Sequence, residues 1–285
     1  MPVKNYPIKN DTDWWPKLAI KWKGITDPVR PSRDDLEIYD KLLRTSLGGI
    51  KKPKILVLGS TPEMRDLAHK YDAEVTIVDI NIEMMIAMSE LMEHKSNIEK
   101  EIWIKSGWDA VPLAGNYFDA ILGDAVSSNM PWEKSKLWMA HMATLLKKSG
   151  VFIERAYVHI DNKNVEVLID KLFKRISAKG TINKRDLSIL QILLLDLSYD
   201  DETKIVININ NKINISRFKG VYGDKFIDAL YQKFNKLFPD NPPKMWRAVT
   251  ENEQDIIFSK DFKIIDKMPS GSFVKNFIFY KSIKK

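Results

Sequence analysis

A regular alternation of strands and helices between residues 54 and 157 most restricts the fold of this chain. It begins with the apolar run KILVL, which is typical of a parallel strand buried on both faces, and passes through Gly59 into a helix predicted over residues 62–71. Further strands are predicted in EVTIVDI, EIWIKSGW, FDAILGDAV and VFIERAYV, and further helices in NIEMMIAMSELMEH and in PWEKSKLWMAHMATLLKKSG, which ends at Gly150. This alternation with short links favours an α/β fold, an open and mostly parallel sheet with helices on both faces.

Two regions interrupt or precede this alternation. Ser32, followed by acidic residues and then spaced apolar residues, predicts a capped helix that ends near Gly48. After His159 the helical patterns NVEVLIDKLFKRI, KRDLSILQILLLDL and DKFIDALYQKFNKLF surround the strand-like KIVININNKINI, and the chain closes with FKIIDKMP and FVKNFIFYKSI as an antiparallel hairpin. We therefore predict an N-terminal helical lead-in or lid over 1–50, a core over 51–159 plus 251–285, and an inserted α+β cap over 160–250 that sets specificity.

The composition excludes several kinds of chemistry. The 285 residues include no cysteine, so disulfides, thiolate metal sites and cysteine nucleophiles are excluded. No two of the four histidines have metal-ligand spacing, and we predict no metal. No apolar run approaches the ~18 residues of a membrane span, and the first residues lack the apolar core of a secretory signal, so we predict no membrane partner and a cytoplasmic location.

The net charge of +7 is compatible with two explanations. One is a polyanionic partner such as RNA. The other is a composition rich in Lys, Ile and Asn, of the kind that an AT-rich genome produces. The lysines are spread along the chain rather than grouped, so a nucleic-acid partner is the less favoured of the two.

Residues at the strand ends predict a nucleoside site. A ligand of a parallel α/β sheet lies outside the carboxyl ends of the strands, where Gly59 begins a turn into a helix and Asp79 follows 20 residues later. An acid at that spacing suits the two hydroxyls of a ribose. The turn GSTPEM has one glycine, Pro62 without an amide hydrogen and the negative Glu63, which together disfavour the pyrophosphate of NAD or FAD. The turn suits a nucleoside whose tail is an amino acid and a sulfonium cation.

The motifs VLGSTPEM, VTIVDI, SGWDAVPLAGNYFDAILGDAV and LLKKSGVFIERAYV, in this order, resemble the class I S-adenosylmethionine-dependent methyltransferases. The chain is most similar to a bacterial subgroup with LGxTPE in place of the glycine-rich loop, and WKGITDPVRPS corresponds to its lead-in. The resemblance covers about residues 20–158 and the final hairpin. It implies a Rossmann-like doubly wound sheet with a closing antiparallel hairpin, and S-adenosylmethionine as cofactor.

The resemblance also implies a role for individual residues. The tail of the cofactor would lie against Gly59, Ser60 and Thr61, with Glu63 at its edge and Arg30 at its carboxylate. The ribose would bind Asp79. The remaining implied contacts are Ile80, Gly107, Trp108 and Asp109 at the adenine, and Asp124 and Ala125 near the methyl group. The chain departs from the family pattern in lacking an acid before Trp108 and in having Ala125 where a glycine is common.

The sequence leaves the acceptor open. Asp124, Tyr157 and His159 are candidate bases because each lies near the carboxyl end of a central strand. The absence of cysteine argues against methylation of cytosine carbon, and GDAVSSNMPW argues against methylation of an exocyclic base amine. We predict methyl transfer to an O or N acceptor on a small molecule or peptide. The alternatives are an RNA- or protein-binding module or RNA methyltransferase on the same fold and, more remotely, an NAD-dependent oxidoreductase.

Overall fold

A computed structural model of the chain describes residues 20–130, 132–200, 202, 205–206, 211–238, 246–271 and 275–285. The first 19 residues of the predicted lead-in, and parts of the predicted cap, lie outside the described residues. No helix in these described stretches combines the length and apolarity needed to cross a bilayer.

The described elements alternate as the sequence predicts up to residue 157. The helices are α1 (Arg33–Leu47), α2 (Pro62–Lys70), α3 (Ile82–Ser89), α4 (Trp132–Leu145), α5 (Asn162–Lys179), α6 (Lys184–Leu197), α7 (Asn211–Ser216), α8 (Lys219–Tyr222), α9 (Asp224–Leu237) and α10 (Glu251–Asp261). The strands are β1 (Lys54–Leu58), β2 (Glu74–Asp79), β3 (Ile102–Lys105), β4 (Phe118–Asp124), β5 (Leu146–Tyr157), β6 (Tyr199–Asp200), β7 (Ile205–Val206), β8 (Trp246–Arg247), β9 (Phe262–Pro269) and β10 (Phe277–Lys284). Short 3-10 turns lie at Trp22–Gly24, Lys95–Lys100, Trp108–Ala110 and Ser127–Asn129.

Seven strands form one sheet in the order β3-β2-β1-β4-β5-β10-β9. The first five are parallel to one another, and β10 runs antiparallel to both β5 and β9. The predicted doubly wound sheet with a closing antiparallel hairpin is confirmed. A second sheet, β6-β7-β8, is small and antiparallel.

The central strand β1 is buried on both faces, as its unbroken apolar run predicts. Ile55 and Val57 pack in a cluster with Tyr39 of α1 and Met64 of α2. Residues 56 and 58 point to the other face, in a cluster with Trp138 of α4. The helices therefore cover both faces of the sheet and leave its carboxyl edge to loops.

The inserted region packs mainly through the apolar faces of α5 and α6, which share a cluster with α9. The described lead-in contacts this region, because the backbone N–H of Thr26 donates to Ser188 Oγ at 3.1 Å and Arg185 pairs with Asp27 at 2.8 Å. The lead-in therefore lies between the core sheet and α6.

Three local predictions differ from the structure. The helix predicted to reach Gly150 ends at Leu145, because Leu146 already pairs with Phe118 of β4 and Val151 resumes the pairing at Ala120 after an irregularity in the register. The segment KIVININNKINI has a two-residue strand and then the helix α7. The helix α10, with a complete capping box at Thr250, was not predicted from its weakly amphipathic sequence.

Candidate functional site

The carboxyl ends of three central strands lie at the same height. Leu58 of β1 pairs with Val78 of β2 and with Gly123 of β4. The residues that follow, Gly59, Asp79 and Asp124, therefore meet at one edge of the sheet. This is the edge at which parallel α/β sheets bind their ligands.

The turn after β1 requires its glycine. Gly59 has φ +84°, a backbone conformation that other residues adopt only with strain, and its N–H donates to the Val78 carbonyl at 2.9 Å. Thr61 occupies the N-cap position of α2 and Pro62 its first turn. The turn is thus tight, and it directs the start of α2 toward the edge of the sheet.

Asp79 is oriented by its neighbours. One carboxylate oxygen accepts from Ser60 Oγ at 2.8 Å, and the other accepts from the Asn81 backbone N–H at 2.9 Å. Ser60 is itself buried. A carboxylate held in this orientation presents both of its oxygens side by side, a geometry that suits a ligand with two adjacent hydroxyls.

The residues predicted to contact the adenine lie after the carboxyl ends of β2 and β3. Ile80 leaves 45% of its surface exposed, and its side chain lies close to Gly107. Trp108 Nε1 donates to the Val78 carbonyl at 2.8 Å, so the indole packs beside Gly59 and its N–H is already bonded. Asp109 pairs with Lys134 of α4 at 2.7 Å.

Arg30 and Glu63 form an ion pair where the lead-in meets α2. Arg30 Nε donates to Glu63 Oε1 at 2.7 Å, Nη2 donates to the same oxygen, and Nη1 donates to the Trp22 carbonyl at 3.0 Å. Glu63 Oε2 is buried and has no hydrogen-bond partner among the described residues. Burial raises the pKa of Glu63 above its ordinary value of 4.5, and Arg30 opposes that rise.

Asp124 belongs to a buried ionic cluster. Arg155 Nε donates to one carboxylate oxygen at 2.6 Å and Nη2 to the other at 3.2 Å, while Nη1 lies 3.3 Å from Asp35. Burial raises the pKa of Asp124, and the Arg155 guanidinium opposes that rise. The next residue, Ala125, has φ +53°, which is strained for a residue with a Cβ and which a glycine would adopt without that strain.

Tyr157 and His159 lie in a different cluster, centred on Asp196 of α6. The Tyr157 hydroxyl donates to Asp196 Oδ1 at 2.6 Å, and His159 Nδ1 lies 3.0 Å from the same oxygen. The Nδ2 group of Asn276 donates to Oδ2. Burial and the neighbouring Asp196 raise the pKa of Tyr157 well above its usual range, so this phenol keeps its proton.

Sequence reasoning missed three of these partners. Arg155 follows Glu154 inside an otherwise apolar strand, and Asp196 is an isolated acid in the apolar run LSILQILLLDL. A charged residue inside an apolar element was the available signal, since such a residue must be paired when buried. Lys134 had no comparable signal, because it lies on a helix surface.

No group of three or more metal-ligating side chains occurs within the described part of the chain. No family model and no curated protein matches the sequence.

Many solved structures are similar to this chain, and the three described here have low sequence identity to it. A Rhodobacter sphaeroides protein described as a Zn-dependent alcohol dehydrogenase is 14% identical, with a TM-score of 0.56 over 98% of this chain and 100% of that one. The N-methyltransferase NodS from Bradyrhizobium japonicum WM9, in complex with S-adenosyl-l-homocysteine, is 9% identical, with a TM-score of 0.51 over 95% and 97%. An O-methyltransferase family 2 protein from Planctomyces limnophilus DSM 3776, in complex with apigenin, is 15% identical, with a TM-score of 0.52 over 98% and 63%.

At these identities the likeness concerns the fold. The order of the seven strands, the antiparallel closing hairpin and the glycine turn after β1 agree with the resemblance read from the sequence. The chain has the fold of the class I S-adenosylmethionine-dependent methyltransferases.

Proposed function

We propose that this protein is an S-adenosylmethionine-dependent methyltransferase that acts on an O or N acceptor of a small molecule or peptide. The observation that carries the proposal is the arrangement of Gly59, the preset Asp79 and the Arg30–Glu63 pair along one sheet edge. Together they match a ribose at one end and a charged amino acid at the other.

The Arg30–Glu63 pair is complementary to the methionine tail of this cofactor. A guanidinium has five N–H donors, and Arg30 uses four of them on Glu63 and on the carbonyls of Trp22 and Ile25. One N–H of Nη2 is left for the tail carboxylate, and the orphaned Oε2 of Glu63 is left for the ammonium. A buried carboxylate oxygen without a partner is costly, so an arriving ammonium would relieve that cost.

The same groups argue against a dinucleotide. A pyrophosphate would meet the buried Glu63 carboxylate at the start of α2, at a position where Pro62 lacks an amide hydrogen. The likeness to a protein described as an alcohol dehydrogenase therefore supports the sheet architecture and not hydride transfer. Two of the methyltransferases of similar fold bind S-adenosyl-l-homocysteine or apigenin, which supports methyl transfer in general.

The acceptor would bind between the sheet edge and the inserted region. The lead-in is tied to both, through Arg30 to α2 and through Thr26 and Asp27 to α6. Such a closed arrangement of the described segments favours a small molecule or a short peptide over a long nucleic acid.

The test is calorimetric titration of the purified protein with S-adenosylhomocysteine. We expect saturable binding that the Asp79→Ala substitution weakens by at least about 100-fold, because two hydrogen bonds to a charged acceptor are lost at about 1.5–3 kcal/mol each. The Asp266→Ala variant is the matched control, because Asp266 is exposed on β9, the outermost strand on the side of the sheet away from β2.

Absence of binding by the folded wild-type protein would refute the methyltransferase. In that case, steeply salt-dependent binding of RNA would support the alternative of a nucleic-acid-binding module, for which the net charge of +7 is the motivating observation.

A further inference from the structure

We propose that His159 is the general base of the transfer and that Asp196 positions it, so that the acceptor is a hydroxyl group that must lose its proton. This inference rests on the proposed function, because it requires a methyl donor at the adjacent strand ends. It assigns a chemical role to the inserted region, from which Asp196 comes.

Asp196 has the surroundings of an anchoring carboxylate. Its side chain is fully buried, it accepts hydrogen bonds from the Tyr157 hydroxyl and the Asn276 amide, and His159 Nδ1 lies 3.0 Å from Oδ1. Burial raises its pKa, and the three donors, His159 foremost, oppose that rise. The two donors of fixed direction, Tyr157 on Oδ1 and Asn276 on Oδ2, favour the ionised form of this carboxyl group.

The carboxylate determines the tautomer of the imidazole. Because an ionised Asp196 only accepts, His159 Nδ1 must carry the hydrogen of the 3.0 Å contact, and in the neutral ring the lone pair is then on Nε2. Nε2 makes no hydrogen bond to a described residue, and 8% of the side chain is exposed. The ring also stacks on Tyr199, with centroids 3.8 Å apart and planes inclined by 24°, so it cannot turn freely.

His159 lies on the acceptor side of the site. Arg155 of β5 pairs with Asp124, and His159 follows Arg155 by four residues. Along an extended chain, this spacing places the Cα atom of His159 about 13 Å from that of Arg155. The His159 N–H donates to the Val249 carbonyl, just after β8, which packs against the turn that follows Asp124. An acceptor between this turn and His159 would lie between the methyl donor and the base.

The chemistry of the dyad selects the acceptor class. In the transfer, the acceptor oxygen forms a bond to the methyl carbon as the carbon–sulfur bond breaks, and the bonding pair returns to the sulfonium to give a thioether. The hydroxyl proton passes to His159 Nε2. A neutral amine can attack with its own lone pair before losing a proton, whereas an un-ionised hydroxyl is a weak nucleophile until a base removes its proton.

The first test concerns the dyad alone. Long-range nitrogen–proton NMR spectra at about pH 8 report the tautomer of each histidine, and the four histidines make assignment by a His159→Gln variant direct. We expect His159 to be neutral with its hydrogen on Nδ1, and to lose this preference in Asp196→Asn. An Nε2–H tautomer in the wild type would overturn the proposal.

The second test measures methyl transfer from S-adenosylmethionine to two probes. Phenol, with a pKa of about 10, needs a base, whereas 4-nitrophenol is ionised at the assay pH and does not. We expect His159→Gln to lose about 100-fold in kcat on phenol, but less than about threefold on 4-nitrophenol. Asp196→Asn should lose at least about tenfold on phenol alone.

Asp186→Asn is the matched control for structural damage, because Asp186 is a buried acid of the same helix that pairs with Arg175. It should change both probes equally. Equal losses on the two phenols in the dyad variants, or methylation of aniline but of neither phenol, would overturn the proposal. Binding of S-adenosylhomocysteine should persist in every variant. Its absence in the wild type would refute the proposed function. The NMR measurement of the His159 tautomer tests the pairing of His159 with Asp196 independently of that result.

Discussion

Replacement of Arg155 by Met should destabilise the protein strongly while keeping its volume. Arg155 is fully buried, pairs with Asp124 and Asp35, donates to the Pro28 carbonyl at 3.1 Å and packs over Phe277 at 4.3 Å. Methionine retains the packing but leaves the carboxylates without their cation.

The magnitude follows from what each carboxylate retains. Asp124 has no other hydrogen-bond partner among the described residues, whereas Asp35 keeps Ser32 and Ser270. Removing one partner of a buried pair costs about 3–5 kcal/mol. At ~3 kcal/mol and about 2–4 °C per kcal/mol, Tm should fall by about 6–12 °C.

The effect should depend on pH in a defined direction. Burial raises the pKa of Asp124 already in the wild type, and loss of Arg155 should raise it further. A carboxyl group whose pKa is raised in the folded state makes folding less favourable as the pH rises from its unfolded-state pKa to its folded-state pKa, so the deficit of Arg155→Met should grow as the pH rises above about 4.

Urea unfolding of a double-mutant cycle measures these quantities. Adding Asp124→Asn to Arg155→Met should recover part of the loss, because it removes the orphaned charge, whereas adding Asp35→Asn should not. A deficit below about 1 kcal/mol, or an Asp124→Asn effect that simply adds to that of Arg155→Met, would show that Arg155 does not neutralise a buried Asp124 charge.

Two further predictions concern the proposed cofactor site. Gly59→Ala should lower the free energy of unfolding by about 1–2 kcal/mol, because a φ of +84° strains a residue with a Cβ, and it should weaken S-adenosylhomocysteine binding. The control is Gly180→Ala, at φ +64° with no neighbour within 4 Å, which should lower stability by a similar amount but leave binding unchanged. Equal binding in both variants would contradict the placement of the cofactor at Gly59. Calorimetry across pH should show wild-type affinity falling on acidification through the raised pKa of Glu63, since the protonated acid cannot pair with an ammonium. Glu63→Gln should bind about tenfold or more weakly at neutral pH and without this dependence, and a parallel pH profile in the two proteins would exclude Glu63 as the ammonium partner.

Features coded by local sequence were predicted correctly. The apolar run of β1, the break at Gly59 and the acid at the end of β2 each depend on residues close together in the chain, so periodicity and turn chemistry reveal them. The closing hairpin of β9 and β10 was also predicted correctly from the local sequence. The predicted end of α4 was wrong because strand pairing with β4 overrides helix propensity from Leu146 onward.

The partners of the buried charged side chains depend on contacts between elements that are far apart in the chain. Three candidate bases looked equivalent in the sequence, because each follows a central strand. The fold gives Asp124 a guanidinium partner and directs Tyr157 and His159 to a carboxylate 37 residues beyond His159, on a helix of the inserted region. Burial makes these pairings obligatory, since a charge removed from water must find a counter-charge or donor, but which one it meets depends on how distant elements pack. Local sequence patterns are therefore enough to predict the sheet and the carboxyl ends of its strands, whereas the packing of lead-in, core and insertion fixes which buried charges pair with one another.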